Sequence, residues 1–253
     1  MPDALSALWQ TPGLLWLVLT ISVAGLVRGF TGFGTALIFV PVAGMFLPPA
    51  VVVAVITLTG VASMAALLPR AWGQADRREV GLLSLAALLT VPLGLWLLGR
   101  MDPVTVRWIV AGIAGVTLMA LIAGWRYSGR VGLPGMAGIG GVAGAVGGLT
   151  GLTGPMVILF YLAGRVAAQS VRANTILFLA ILDVVIVANL LWRGAMSWPT
   201  VGLAAVLSVP YFCTTLVGQA LFDPRHERLY RWAAYGVIGL AVVSGLPAWD
   251  TGG

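Results

Sequence analysis

The chain predicts an all-α integral membrane protein of about eight hydrophobic segments in two homologous, inverted halves. Three observations carry this. Hydrophobic residues make up 60% of the 253 positions and charged residues only 9%, where soluble domains hold about 25% charged residues. The apolar residues fall into runs long enough to cross a bilayer. Two of those runs share an internal glycine-rich interruption at a fixed spacing. A water-soluble fold of this length has too little interior to hide so much apolar side chain, whereas a bilayer solvates it.

A hydrocarbon core of about 30 Å needs roughly 20 residues of helix. Segments 49–69, 80–99, 104–125, 168–192, 199–221 and 229–247 have single-helix length. Segments 13–47 and 134–163 are longer, and each is broken by glycine. The first break reads Arg28-Gly29-Phe30-Thr31-Gly32-Phe33-Gly34, and the second Gly147-Gly148-Leu149-Thr150-Gly151-Leu152-Thr153-Gly154-Pro155. Each half therefore begins with a Gly-broken helix or a re-entrant hairpin.

A shift of 119 positions lays Gly25, Gly29, Thr31 and Gly32 on Gly144, Gly148, Thr150 and Gly151. With small gaps, Pro92 then matches Pro210, Gly99 matches Gly218, Asp102-Pro103 matches Asp223-Pro224, and Arg107-Trp108 matches Arg231-Trp232. These landmarks divide the chain into repeats at 1–128 and 129–253, joined near Ser128-Gly129-Arg130.

All fourteen basic residues are arginine, and they lie mostly between the apolar runs. Eight plain crossings would split them almost evenly between the two sides, against the positive-inside tendency. With 13–47 and 134–163 as hairpins, Arg70, Arg77, Arg78, Arg126, Arg130, Arg165, Arg172, Arg225, Arg228 and Arg231 share one side. Arg100, Arg107 and Arg193 take the other. The hairpin arrangement is the one the charges favour, and it makes the halves inverted. No signal peptide is recognisable in MPDALSALWQ, which has an acid and no Arg ahead of the apolar run.

A helix break inside a bilayer exposes backbone N–H and C=O groups, which is tolerated where they line a cavity or are buried in protein. Two half-helix N-termini, one per half, can converge on an anion. Gly29, Gly32, Gly34, Gly151 and Gly154 allow close backbone approach, and Thr31, Thr150 and Thr153 are candidate hydroxyl donors. The plainer alternative is that these glycines only permit tight helix crossing. Arg28 lies at the first break, where a buried guanidinium needs a cavity, a partner or an anion. Arg172, with Asn174 two residues on, opens segment 168–192 and is a candidate ligand or an interfacial topology charge. Asp183 is the carboxylate in the middle of an apolar run. It is a proton-coupling candidate, or a structural partner for Arg28. Residues 28–35 and 147–155 are expected to be non-helical and close together near the membrane centre.

The remaining inventory excludes much. One cysteine, Cys213, forms no intrachain disulfide, and the one histidine, His226, sits in a charged loop. No metal site and no cofactor is expected. GxSxG, HExxH, Walker A and paired intramembrane aspartates are missing, so a membrane-embedded enzyme ranks low. Basic patches interleaved with aromatics are missing too, so nucleic acid is not an expected partner. Small anions and the lipid bilayer are, and the reading leaves room for a homodimer. A passive anion channel with the same breaks is the alternative to a carrier, and a helper subunit of a larger complex is a weaker one.

Arg28-Gly-Phe-Thr-Gly-Phe-Gly34, Val40-Pro41 and Leu47-Pro48-Pro49 resemble the first repeat of the TauE/SafE sulfite-exporter-like family. Gly151-Leu-Thr-Gly-Pro155, Val157-Ile-Leu-Phe-Tyr161 and Val171-Arg-Ala-Asn-Thr175 resemble its second. The likeness spans nearly the whole chain. It implies a multi-pass carrier of the bacterial inner membrane, exporting sulfite, organosulfonates or related small sulfur oxyanions. Thr153 stands where the family's second repeat usually has glycine.

Overall fold

The computed structural model describes residues 10–124, 132–163, 168–221 and 223–250, which are almost wholly helical. Among the described residues ten α-helices follow one another: α1 (Leu14–Thr31), α2 (Thr35–Ala43), α3 (Pro49–Gln74), α4 (Arg77–Leu98), α5 (Pro103–Ile122), α6 (Leu133–Thr150), α7 (Pro155–Ala163), α8 (Ala168–Trp192), α9 (Trp198–Leu221) and α10 (Glu227–Ser244). Six of them, α1, α4, α5, α6, α8 and α9, are long and apolar enough to cross a membrane, and α3 makes a seventh if its bend between Met64 and Leu67 is counted within one span. Large apolar side chains such as Leu15, Leu89, Trp192 and Trp198 point outward, which water would penalise and lipid does not. The proposed junction near Ser128-Gly129-Arg130, with Arg126 and Arg165, lies outside the described residues.

Both long segments break where the glycines stand. The breaks are shorter than residues 28–35 and 147–155: only Gly32–Gly34 and Gly151–Gly154 leave the helix. The reason is that helix geometry is still needed at Arg28–Thr31 and Gly147–Thr150. Gly29 presses on α9, where an added Cβ would lie 2.6 Å from the Cα of Gly218. Gly148 presses on α4, where its Cβ would lie 2.6 Å from the carbonyl oxygen of Val91. Such small-residue contacts let helices approach closely where lipid offers no hydrophobic drive to bring them together.

The termination device is duplicated as well. Gly32 (φ 81°) and Gly151 (φ 75°) adopt the left-handed conformation that ends a helix. Their N–H groups donate to the carbonyls of Arg28 and Gly147, each at 2.8 Å. The Thr31 hydroxyl donates to Val27 O at 2.9 Å and accepts from the Phe33 N–H at 3.2 Å. The Thr150 hydroxyl donates to Val146 O at 2.7 Å and accepts from the Leu152 N–H at 3.1 Å. Every position of the repeated Gly-x-x-x-Gly-x-Thr-Gly core thus has a mechanical duty: two glycines for crossing, a threonine staple and a left-handed cap.

The packing places the hairpin arms. α6 runs parallel to α4, with Gly140, Gly144 and Gly148 against Leu83, Ala87 and Val91 in turn. α1 runs parallel to α9, with Gly25 and Gly29 against Tyr211 and Thr215. α3 and α8 are antiparallel, with Gly60 against Asp183 and Leu67 and Ala71 packed with Ala173 and Ile176. Gly13 at the start of α1 abuts the Phe46 ring beyond α2, so the first broken segment enters and leaves at one end of the bundle. Arg107 packs beside Gly44, and Gly245 against Pro41, at that same end. At the other end Arg172 covers Gly32, Asn174 accepts a 2.7 Å bond from the Asp76 N–H, and Tyr230 stacks on Phe30.

The crossing contacts correct one detail of the sequence alignment. Ala87, Thr90, Val91 and Gly94 on α4 meet α6 as Tyr211, Thr214, Thr215 and Gly218 on α9 meet α1. The packing equivalent of Gly218 is therefore Gly94, not Gly99, and Pro92 and Pro210 are not equivalent. Glycine-rich helices offer several registers of similar composition, and only the contact selects one. The Asp-Pro landmarks are helix starts. Asp102 caps α5, accepting from the Thr105 N–H at 2.9 Å with Pro103 in the first turn, and Asp223 accepts from the Arg225 N–H at 2.9 Å at the start of a short 3-10 turn, Pro224–His226, that leads into α10.

Candidate functional site

The two breaks meet at one cavity of about 30 Å³, enough for roughly two water molecules. Its lining comes from both breaks and from three further helices. Arg28 comes from the last turn of α1, with Gly34, Thr35, Ala36 and Leu37 from the start of α2. Thr153, Gly154, Pro155 and Ile158 come from the second break and α7. Ile56 and Gly60 on α3, Leu179 and Asp183 on α8, and Tyr211 on α9 complete it, with Gly151 at its edge.

Arg28 is 6% exposed, and its Nε has no hydrogen-bond partner. α1 carries it inward because Val27 and Gly29, on either side, are buried too. Thr35, Ala36 and Leu37 precede the first intrahelical bond of α2, which runs from the Ile38 N–H to Gly34 O at 3.2 Å. Their N–H groups open the positive end of a nine-residue helix on the same space. Gly34 (φ 97°) turns the chain there. The second break is built differently. Thr153 sits at the position of Gly34 under the 119-residue shift, yet no residue other than glycine has positive φ among the described residues. α7 then starts on Pro155, which has no N–H to offer. Donor power is concentrated in the first break.

Asp183, also 6% exposed, reaches the cavity because α3 is notched opposite it: a Cβ on Gly60 would overlap the carboxylate. Arg28 and Asp183 line the same cavity without a direct ion pair between them among the described residues. Tyr211 and Thr35 share a 2.9 Å hydrogen bond at its rim.

Of the residues singled out in the sequence, Arg28, Gly34, Gly151, Thr153, Gly154 and Asp183 come together here. The others do not. Gly29 serves the crossing, Gly32 the cap, and the Thr31 and Thr150 hydroxyls bond to the backbone of their own breaks. Arg172 donates from Nη2 to Gly29 O at 3.0 Å, placing a cation on an end carbonyl of α1. Asn174 serves the turn before α4. Thr35, Gly60 and Tyr211 gave no signal, being neutral residues inside apolar runs.

Six or seven apolar spans around a buried cavity that holds an arginine and an aspartate define a multi-pass membrane protein with a charged internal site. The family model described as Sulfite exporter TauE/SafE matches residues 17–245. The chain belongs to that family, which consists of membrane transporters and not enzymes. No curated protein and no solved structure matches the chain.

Proposed function

We propose that the protein is a secondary transporter that exports sulfite or a closely related small sulfur oxyanion across the bacterial inner membrane. The observation that carries this is Arg28, buried, with an unpartnered Nε, lining a cavity on which the N-terminus of α2 also opens. A guanidinium fork suits an oxyanion because it donates parallel hydrogen bonds. Backbone N–H groups add donors without adding a second fixed charge.

Asp183 is the coupling candidate in this reading. An ionised carboxylate and a bound anion compete for one guanidinium, and a proton on Asp183 ends that competition. The reciprocal packing, α1 on α9 and α6 on α4, supports inverted halves with the two hairpins facing opposite ways, the layout of carriers built from inverted repeats. It also keeps Arg172 at the opposite end of the bundle from Arg107, as the hairpin topology requires.

A thermal-shift series on the purified protein with sulfite, sulfate, thiosulfate, taurine and sulfoacetate tests the substrate class, since ligand binding raises apparent stability by mass action. Sulfite should give the largest shift. Taurine or sulfoacetate stabilising the protein while sulfite does not would reject it. Trans-stimulated exchange in vesicles separates a carrier from a channel.

A further inference from the structure

A second cavity, of about 20 Å³, lies at the Arg107 end of the bundle, lined by Val40, Val53, Arg107 and Thr150 among others. The central cavity touches Gly151 and Ile56, and the second touches the adjoining Thr150 and Val53. Between them is a single apolar layer. A Cβ on Gly151 would stand 3.0 Å from Cγ2 of Ile56, 3.7 Å from Cγ2 of Val40 and 3.7 Å from Cα of Val53. Three elements meet there: α2, α3 and the turn between α6 and α7.

The opposite break is closed by a residue of different character. A Cβ on Gly32 would stand 2.9 Å from Cγ and 3.3 Å from Nε of Arg172. Under the 119-residue shift Gly32 corresponds to Gly151 and Arg172 to Val53. Corresponding positions thus cover the two breaks with a cation at one end and with aliphatic side chains at the other.

We propose that Ile56 and Val40, closed on Gly151, form an apolar gate between the anion site at Arg28 and a vestibule at Arg107. The inference rests on the proposed transport function. A dry aliphatic constriction stops an anion because it offers nothing in place of the hydration shell. It opens when the Gly151 turn and α3 move apart, and the Arg107 guanidinium then gives the passing anion a positive wall. Because the gate is one layer thick, a small displacement joins the two cavities.

Sulfite efflux from reconstituted vesicles, with sulfite binding measured alongside by calorimetry, tests the gate. Ile56→Ala and Val40→Ala remove methyl groups from it. Either should raise passive efflux in the absence of exchangeable anion about tenfold or more. Val40→Phe adds bulk on the vestibule side. It should cut transport about tenfold or more while binding at the central site stays within about threefold of the parent. Alanine variants that leak no faster than the parent, or a Val40→Phe protein that transports at the parent rate, overturn the gate. If Ile56→Ala does not fold, the two Val40 variants decide alone. A parent that moves no sulfite overturns the proposed function, and the gate falls with it.

Discussion

Arg28 lies one turn before the end of α1, buried beside a half-helix N-terminus. Leaving a guanidinium there costs about 3 kcal/mol or more unless a partner or water compensates, so it is the first residue to vary. Arg28→Lys keeps the charge but loses the planar fork and should weaken anion affinity. Asp183→Asn should leave anion binding nearly intact and flatten the pH dependence of transport; an unchanged pH profile would remove Asp183 from coupling. If the pair instead holds the fold, Arg28→Ala should lower the melting temperature and Arg28→Ala with Asp183→Ala should restore it. The Gly60 notch gives another test: Gly60→Ala should displace the Asp183 carboxylate and reproduce part of the Asp183→Asn phenotype. Charge made Arg28 and Asp183 legible in the sequence, because an ionisable residue in an apolar run demands an explanation. Thr35 and Tyr211 were not legible, since a hydroxyl in such a run more often bonds its own helix, as Thr57 and Thr215 do here. The Thr31 and Thr150 hydroxyls follow the same habit at the two breaks.

The broken helices are the elements on which the site depends. Thr150 is 1% exposed, and its hydroxyl answers the Leu152 N–H where little else can. Thr150→Val should cost about 1–3 kcal/mol, the range for orphaning a buried donor, and Thr150→Ser should recover most of it. Detergent-phase melting of the two variants checks this; equal melting for parent and Thr150→Val would mean the staple is dispensable. The crossing glycines make a sharper comparison. Gly148→Ala must separate α6 from α4 and should destabilise by about 1–3 kcal/mol, as overpacking does. Gly138→Ala, with nothing within 4 Å of its Cβ, should be neutral or slightly stabilising, since alanine is the better helix former. The positions of the breaks were readable because glycine clusters interrupt long apolar runs. Their lengths were not, because a glycine needed for crossing and a glycine needed for a turn look alike in one dimension.

Across the whole molecule, the hairpin layout puts Arg107, Gly13 and Phe46 at one end and Arg172, Asp76 and Tyr230 at the other. In a Cys213→Ser background, cysteines at positions 102 and 76 should therefore react with membrane-impermeant reagents from opposite sides of an oriented vesicle. Labelling from the same side would contradict the topology. The arginine distribution favours the same arrangement by an independent route, because loop charge is set by insertion and not by packing. The register of α4 against α9 was beyond it, as the Gly94 and Gly218 crossings show. The account as a whole turns on whether the cavity between the two breaks holds an anion through Arg28. The most direct measurement is sulfite binding to purified, monodisperse parent and Arg28→Ala proteins by calorimetry. The parent should bind, and Arg28→Ala, still folded, should lose nearly all affinity. Equal affinity for the two proteins would place the anion elsewhere and contradict the central claim.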